Sequence, residues 1–135
     1  MSIRITALAL LALLLPSACS LVPLKMPTPI TYTADQGDAR TAVLNVLAGR
    51  GWVAVSDAHG VIRARLALRK HVAEVDVRYG NGQISFEHVN SSGLEEGVGT
   101  DGEAVIHKNY VSWLENLRMD LEAQLSWAAL SASDG

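Results

Sequence analysis

Two runs of alternating hydrophobicity, joined by turns that agree about which side is buried, restrict this chain more than any other feature. Ile62, Ala64, Leu66 and Leu68 alternate with Val61, Arg63, Arg65 and Arg69, and Val75, Val77 and Tyr79 alternate with Glu74, Asp76 and Arg78. A period of two puts successive side chains on opposite faces of a strand, so each run has one dry face and one wet one. Asn81-Gly82 supplies a two-residue hairpin turn, because both turn positions need positive φ. That turn sets Val77 opposite Phe86 and Tyr79 opposite Ile84. A preceding turn at Lys70-His71 sets Arg65 opposite Asp76 outside and Leu66 opposite Val75 inside. Both turns leave the apolar residues on one side, as a single meander requires. A fourth strand, Trp52 to Ser56, leads into the turn Asp57-Ala58-His59-Gly60.

The flanking segments change to a helical period. Ala39, Ala42, Val43, Val46 and Leu47 form one apolar stripe at i, i+3, i+4, i+7 and i+8, with Asp35 or Asp38 to cap the start and Gly49 and Gly51 to stop it. A second helix runs from about His107 to Leu125 or beyond, its stripe being Ile106, Tyr110, Leu114, Leu117, Leu121 and Leu125. A sheet wet on one face needs a cover on the other, and two amphipathic helices provide it. The expected fold is therefore α+β: a four-stranded antiparallel meander with two helices packed on one face, in the order α-β-β-β-β-α. The domain spans 35–127, with a frayed tail at 128–135. Trp52–Ser56 and Gln83–Val89 are the expected sheet edges, open to another strand. Residues 90–105, with four glycines and four acids, are expected to be disordered.

The N-terminus reads as an address. Arg4 is the only charged side chain in the first twenty-four residues, and Ile5–Leu15 is almost wholly apolar. At about 1.5 Å per residue that run is too short to cross a hydrocarbon core of roughly 30 Å, which leaves a secretory signal. Leu15-Pro16-Ser17-Ala18-Cys19 resembles the lipobox of bacterial lipoproteins, with Pro16 where leucine is usual and Leu15 one place further out. The resemblance implies a signal peptide over 1–18 and a lipidated, palmitate-bearing Cys19. Ser20, rather than Asp, after the cysteine implies sorting to the outer membrane. Simple secretion with cleavage after Ser20 is the alternative. A lone thiol in an oxidising compartment is a liability that acylation removes. Pro23, Pro27 and Pro29 make the rest of 19–34 read as an extended tether.

Composition removes several function classes. The net charge is −3, and losing Arg4 with the signal leaves ten basic against fourteen acidic side chains. Neither value suits a nucleic-acid binder. One cysteine excludes a disulfide framework and a cysteine zinc cage. His59, His71, His88 and His107 show no ligand spacing such as H-E-x-x-H, so no metal and no cofactor is expected. No G-x-S-x-G elbow accompanies Ser91 and Ser92, and no enzyme is expected. Arg63, Arg65, Arg69 and Lys70 make a basic stripe on the wet face, neutralised across the strands by Glu74, Asp76 and Glu87.

Further resemblance lies in Gly51-Trp52, in the run Ala64-x-Leu66-x-Leu68-Arg69-x-His71-x-Ala73-x-Val75-x-Val77-x-Tyr79, and in Ser91-x-x-Leu94. It extends to Ile106-His107-Lys108-Asn109-Tyr110-x-x-Trp113-x-x-Asn116-Leu117. Over roughly residues 40–125 the chain resembles a family of small, uncharacterised lipoproteins of Gram-negative bacteria, most specifically in its His-x-x-Tyr-x-x-Trp-x-x-Asn-Leu segment. The resemblance implies location and fold but no activity. Along that segment a period of three drifts about 60° per step round a helix. The candidate binding surface is therefore His107, Tyr110, Trp113 and Asn116, joined by His71, whose parity turns it toward the helix cover. The competing reading is a rim of half-buried aromatics. The function expected is that of a non-catalytic, lipid-anchored envelope protein, an interaction or assembly module in the periplasm. The alternative is a periplasmic carrier holding a small lipid or cell-wall ligand between sheet and helices. Its partners would be the membrane, through the anchor, and an envelope protein.

Overall fold

The computed structural model describes residues 20–134. The expected signal peptide at 1–18 and the lipid attachment at Cys19 lie outside the described residues. The architecture is α+β, with two helices and two antiparallel sheets. The chain begins with two short strands, β1 (Leu21–Pro23) and β2 (Ile30–Thr31), followed by α1 (Gln36–Gly49). Four longer strands come next: β3 (Val53–Ala58), β4 (Val61–Leu68), β5 (His71–Gly80) and β6 (Gln83–Ser92). A small hairpin, β7 (Gly97–Val98) and β8 (Ala104–His107), leads into α2 (Lys108–Ser133).

β3 to β6 are sequential neighbours, as in the expected meander, but the sheet has five strands in the order β2-β6-β5-β4-β3. The fifth comes from the segment expected to be a free tether. Residues 20–34 are instead built into the domain. Ile30 pairs with Ile84, Tyr32 N–H donates to the Gly82 carbonyl at 2.8 Å, and both Ile30 and Tyr32 are buried. At its other end Leu21–Pro23 pairs with Val105–His107, making the three-stranded sheet β1-β8-β7. Extended, proline-rich backbone is well suited to short edge strands, where missing donors face outward.

The Asn81-Gly82 turn has both residues at positive φ, +51° and +74°, and pairs Val77 with Phe86 and Tyr79 with Ile84. The other hairpin turns two residues away from the expected register. Its tip is Arg69-Lys70, with Arg69 at φ +56°, so Arg65 faces Glu74, Arg63 faces Asp76, and Ala64 rather than Leu66 faces Val75. A slip of two preserves every side chain's face, which is why the alternation could not reveal it.

Asp35 caps α1 by accepting from Asp38 N–H at 2.9 Å, and Gly51 follows the helix at φ +80°. Its buried residues are Ala39, Ala42, Val43, Val46 and Leu47. α2 buries Tyr110, Leu114, Leu117, Leu121 and Leu125 and continues to Ser133, through the tail expected to fray. Each fully buried leucine contributes about 1.5–3 kcal/mol. α1 packs on β3, β5 and α2, and the core fills the space between the helices and the face bearing Val75, Val77, Ile84 and Phe86. Residues 90–105, expected to be disordered, instead extend β6 and form the β7–β8 hairpin. Leu94 is buried there, and its carbonyl accepts from His107 N–H at 2.8 Å.

Candidate functional site

The site is assembled where the β4–β5 turn, the segment after β6 and the start of α2 meet. His107 is the N-cap of α2, its Nδ1 accepting from Asn109 N–H at 3.2 Å. His71, the first residue of β5, donates from Nδ1 to the Gly93 carbonyl at 2.6 Å; a carbonyl only accepts, so the ring proton sits on that nitrogen. The two imidazoles lie 6.4 Å apart, tilted by 33°. Trp113, one and a half turns into α2, meets His71 edge-on, with ring centroids 6.4 Å apart at 61°. The structure therefore brings His71, His107 and Trp113 together, all half-buried at the surface.

Asn116 makes no side-chain hydrogen bond to that trio among the described residues. With Trp113 it lines a neighbouring cleft of about 320 Å³, whose other walls are Trp52, Leu66, Leu68 and Arg50. Trp52 is buried, whereas Leu68 is exposed. Arg50 is held by a two-pronged contact to Asp120, at 2.7 and 3.1 Å, which raises its pKa and lowers that of Asp120.

Tyr110, expected on the same surface, is a core residue. It is wholly buried, and its hydroxyl meets His88 Nδ1 at 2.6 Å, with the rings at 90°. Helical rotation explains the correction: Tyr110 shares the stripe of Leu114 and Leu117, whereas Trp113 and Asn116 lie at its edge. Burial pushes the Tyr110 hydroxyl well above its ordinary range. It also lowers the His88 pKa, against a smaller upward pull from Glu96. Both rings are therefore neutral at pH 7. The position of His88 had a signal, since it continues the parity of Ile84 and Phe86. The register of the Asn81-Gly82 turn puts His88 opposite Val75, and the bulge at Val89 beyond it puts Ser91 opposite Ala73, keeping both on the inner side.

Chemically, this surface offers an indole edge, imidazole nitrogens at Nε2, and an amide beside an apolar recess. Such groups grip a partner through stacking and hydrogen bonds. No nucleophile is hydrogen-bonded to either histidine of the trio among the described residues. Nor does any group of three or more His, Cys, Asp or Glu side chains converge among them.

No known protein family, curated protein or solved structure matches the chain.

Proposed function

We propose that the protein is a non-catalytic envelope protein, lipid-anchored through Cys19 to the periplasm-facing leaflet of the outer membrane, that acts as an interaction or assembly module. The lipobox-like sequence supports the location. One observation carries the activity: the space between sheet and helices is filled, while His71, His107 and Trp113 meet at the surface. Val43, Val75, Val77, Leu114 and Leu117 have no exposed area, so a ligand held between the layers has no room there. A binding surface with an aromatic anchor and polar neighbours suits a protein partner.

The carrier reading is favoured by a single feature, the apolar cleft beside Trp113. Its volume of about 320 Å³ is at the lower end for small-molecule sites. The two readings separate in one experiment. Cells expressing the native chain are cross-linked, the envelope is dissolved in mild detergent, and co-purifying species are identified by mass spectrometry. The expected result is a stoichiometric protein whose cross-link is lost in His107→Ala and Trp113→Ala variants that still fold. Retained lipid or glycan with no protein partner would transfer the assignment to the carrier.

A further inference from the structure

The folding-in of residues 20–34 fixes where a lipid on Cys19 would attach. Ser20, the next residue, is held in the domain: its carbonyl accepts from Lys108 N–H at 2.7 Å, and Leu21 pairs with His107. The start of α2 is thus one residue from the attachment point. From there a continuous series of contacts reaches the β4–β5 turn. His107 N–H donates to Leu94, the Gly93 carbonyl holds His71, and Gly93 lies directly against the Lys70 backbone. Arg69, Lys70 and Lys108 are exposed at this end, and none makes an ion pair among the described residues. The facing acids are Glu95, which accepts from Ser20 Oγ at 3.4 Å, and Glu96.

Elsewhere every described cation except exposed Lys25 is engaged. Arg63, Arg65 and Arg78 on the wet sheet face are paired with Asp76, Glu74 and Glu87, and Arg40, Arg50 and Arg118 with Asp57, Asp120 and Glu122. The outward side of α2 carries exposed Glu115, Met119 and Trp127, while Asp120 and Glu122 are taken up by Arg50 and Arg118. An anionic bilayer would attract the first end and find no free cation on that flank. We propose that the end bearing Ser20, Arg69, Lys70 and Lys108 rests on anionic phospholipid headgroups, with His71, His107 and Trp113 at the headgroup boundary, where a membrane-associated partner reaches them, and with α2 standing away from the membrane so that Trp127 is remote from it. This rests on the lipid-anchored reading above. Trp113 then lies at the headgroup level, where tryptophan is favoured. Each free Lys or Arg near such a surface strengthens the contact about five-fold.

The test uses the exported, mature protein in vesicles of phosphatidylethanolamine and phosphatidylglycerol that carry a headgroup nitroxide lipid. Trp113→Phe and Trp127→Phe variants assign the fluorescence, with buried Trp52 a common background. The expected result is that Trp113 is quenched several-fold more than Trp127. The contrast should shrink at high salt and in a Lys70→Glu, Lys108→Glu variant, whose changes lie at exposed positions. Equal quenching, stronger quenching of Trp127, or indifference to salt and to both charge reversals would overturn the orientation while leaving the anchor intact. Mass spectrometry of the same sample reads the anchor separately: an unacylated Cys19 would overturn the anchored reading and this inference with it.

Discussion

Half-buried His88 and wholly buried Tyr110 form a polar pair at the margin of the apolar packing, and the pair makes the fold acid-sensitive. Burial depresses the His88 pKa in the folded state. As pH falls through the ordinary histidine range near ~6.5, the unfolded chain binds the proton first, so folding stability declines on acidification. Urea titrations between pH 7.5 and 5 should show a drop in midpoint for the native chain that is smaller in His88→Gln. An equal drop in both would remove His88 as the cause. Tyr110→Phe leaves the His88 ring nitrogen without its partner at 2.6 Å and should cost about 1–2 kcal/mol at neutral pH, measured by the same titration. Gly93 is a second sensitive residue. At φ +70°, with its missing Cβ directed at the Lys70 carbonyl, Gly93→Ala should cost at least about 1 kcal/mol from the left-handed backbone alone. It should also disturb the signals of the neighbouring His71 ring in an NMR spectrum. At this scale the sequence was informative about faces rather than neighbours. The parity of Ile84 and Phe86 extends to His88, but which helix residue it meets depends on how α2 packs across the sheet, which no local pattern carries.

Among the elements, the first two strands contradict their own local appearance. Pro23, Pro27 and Pro29 lack N–H donors and read as linker, yet Ile30 and Tyr32 are buried and Pro27 with them. The expectation for a tether is that its removal leaves stability unchanged. The structure predicts otherwise: a chain beginning at Asp35 should lose several kcal/mol, from the burial of Ile30 and Tyr32 at about 1.5–3 kcal/mol each, and should have a lower thermal midpoint. The helices and the four central strands were legible because each carries its own periodicity over many residues. β1, β2, β7 and β8 each span two to four residues, too short for any period to register; β1, β2 and β8 pair with strands distant in sequence, and β7 pairs with β8 alone. The same limit explains the β4–β5 turn, where placements two residues apart bury identical faces.

For the molecule as a whole, core and presented surface are separate sets of residues. His107 and Trp113 lie outside the stripe of Tyr110, Leu114 and Leu117, so truncating them should leave one cooperative unfolding transition, with a loss of about 1–2 kcal/mol. A broadened or multiphasic transition in circular dichroism would place them in the core instead. Whole-molecule function was the least legible level. Fold follows from patterns spread along the chain, whereas the trio His71, His107 and Trp113 depends on three segments converging.

The docking of Ser20 against Lys108 also governs reach. A protein on a loose leash can sample a hemisphere and meet targets across the compartment. Here the slack is consumed by folding, and α2, with 26 residues at about 1.5 Å rise, spans only ~39 Å. Anchored in that way, the domain would explore a thin sheet of space and encounter its targets by lateral diffusion. Whatever it engaged would itself have to come down to the bilayer.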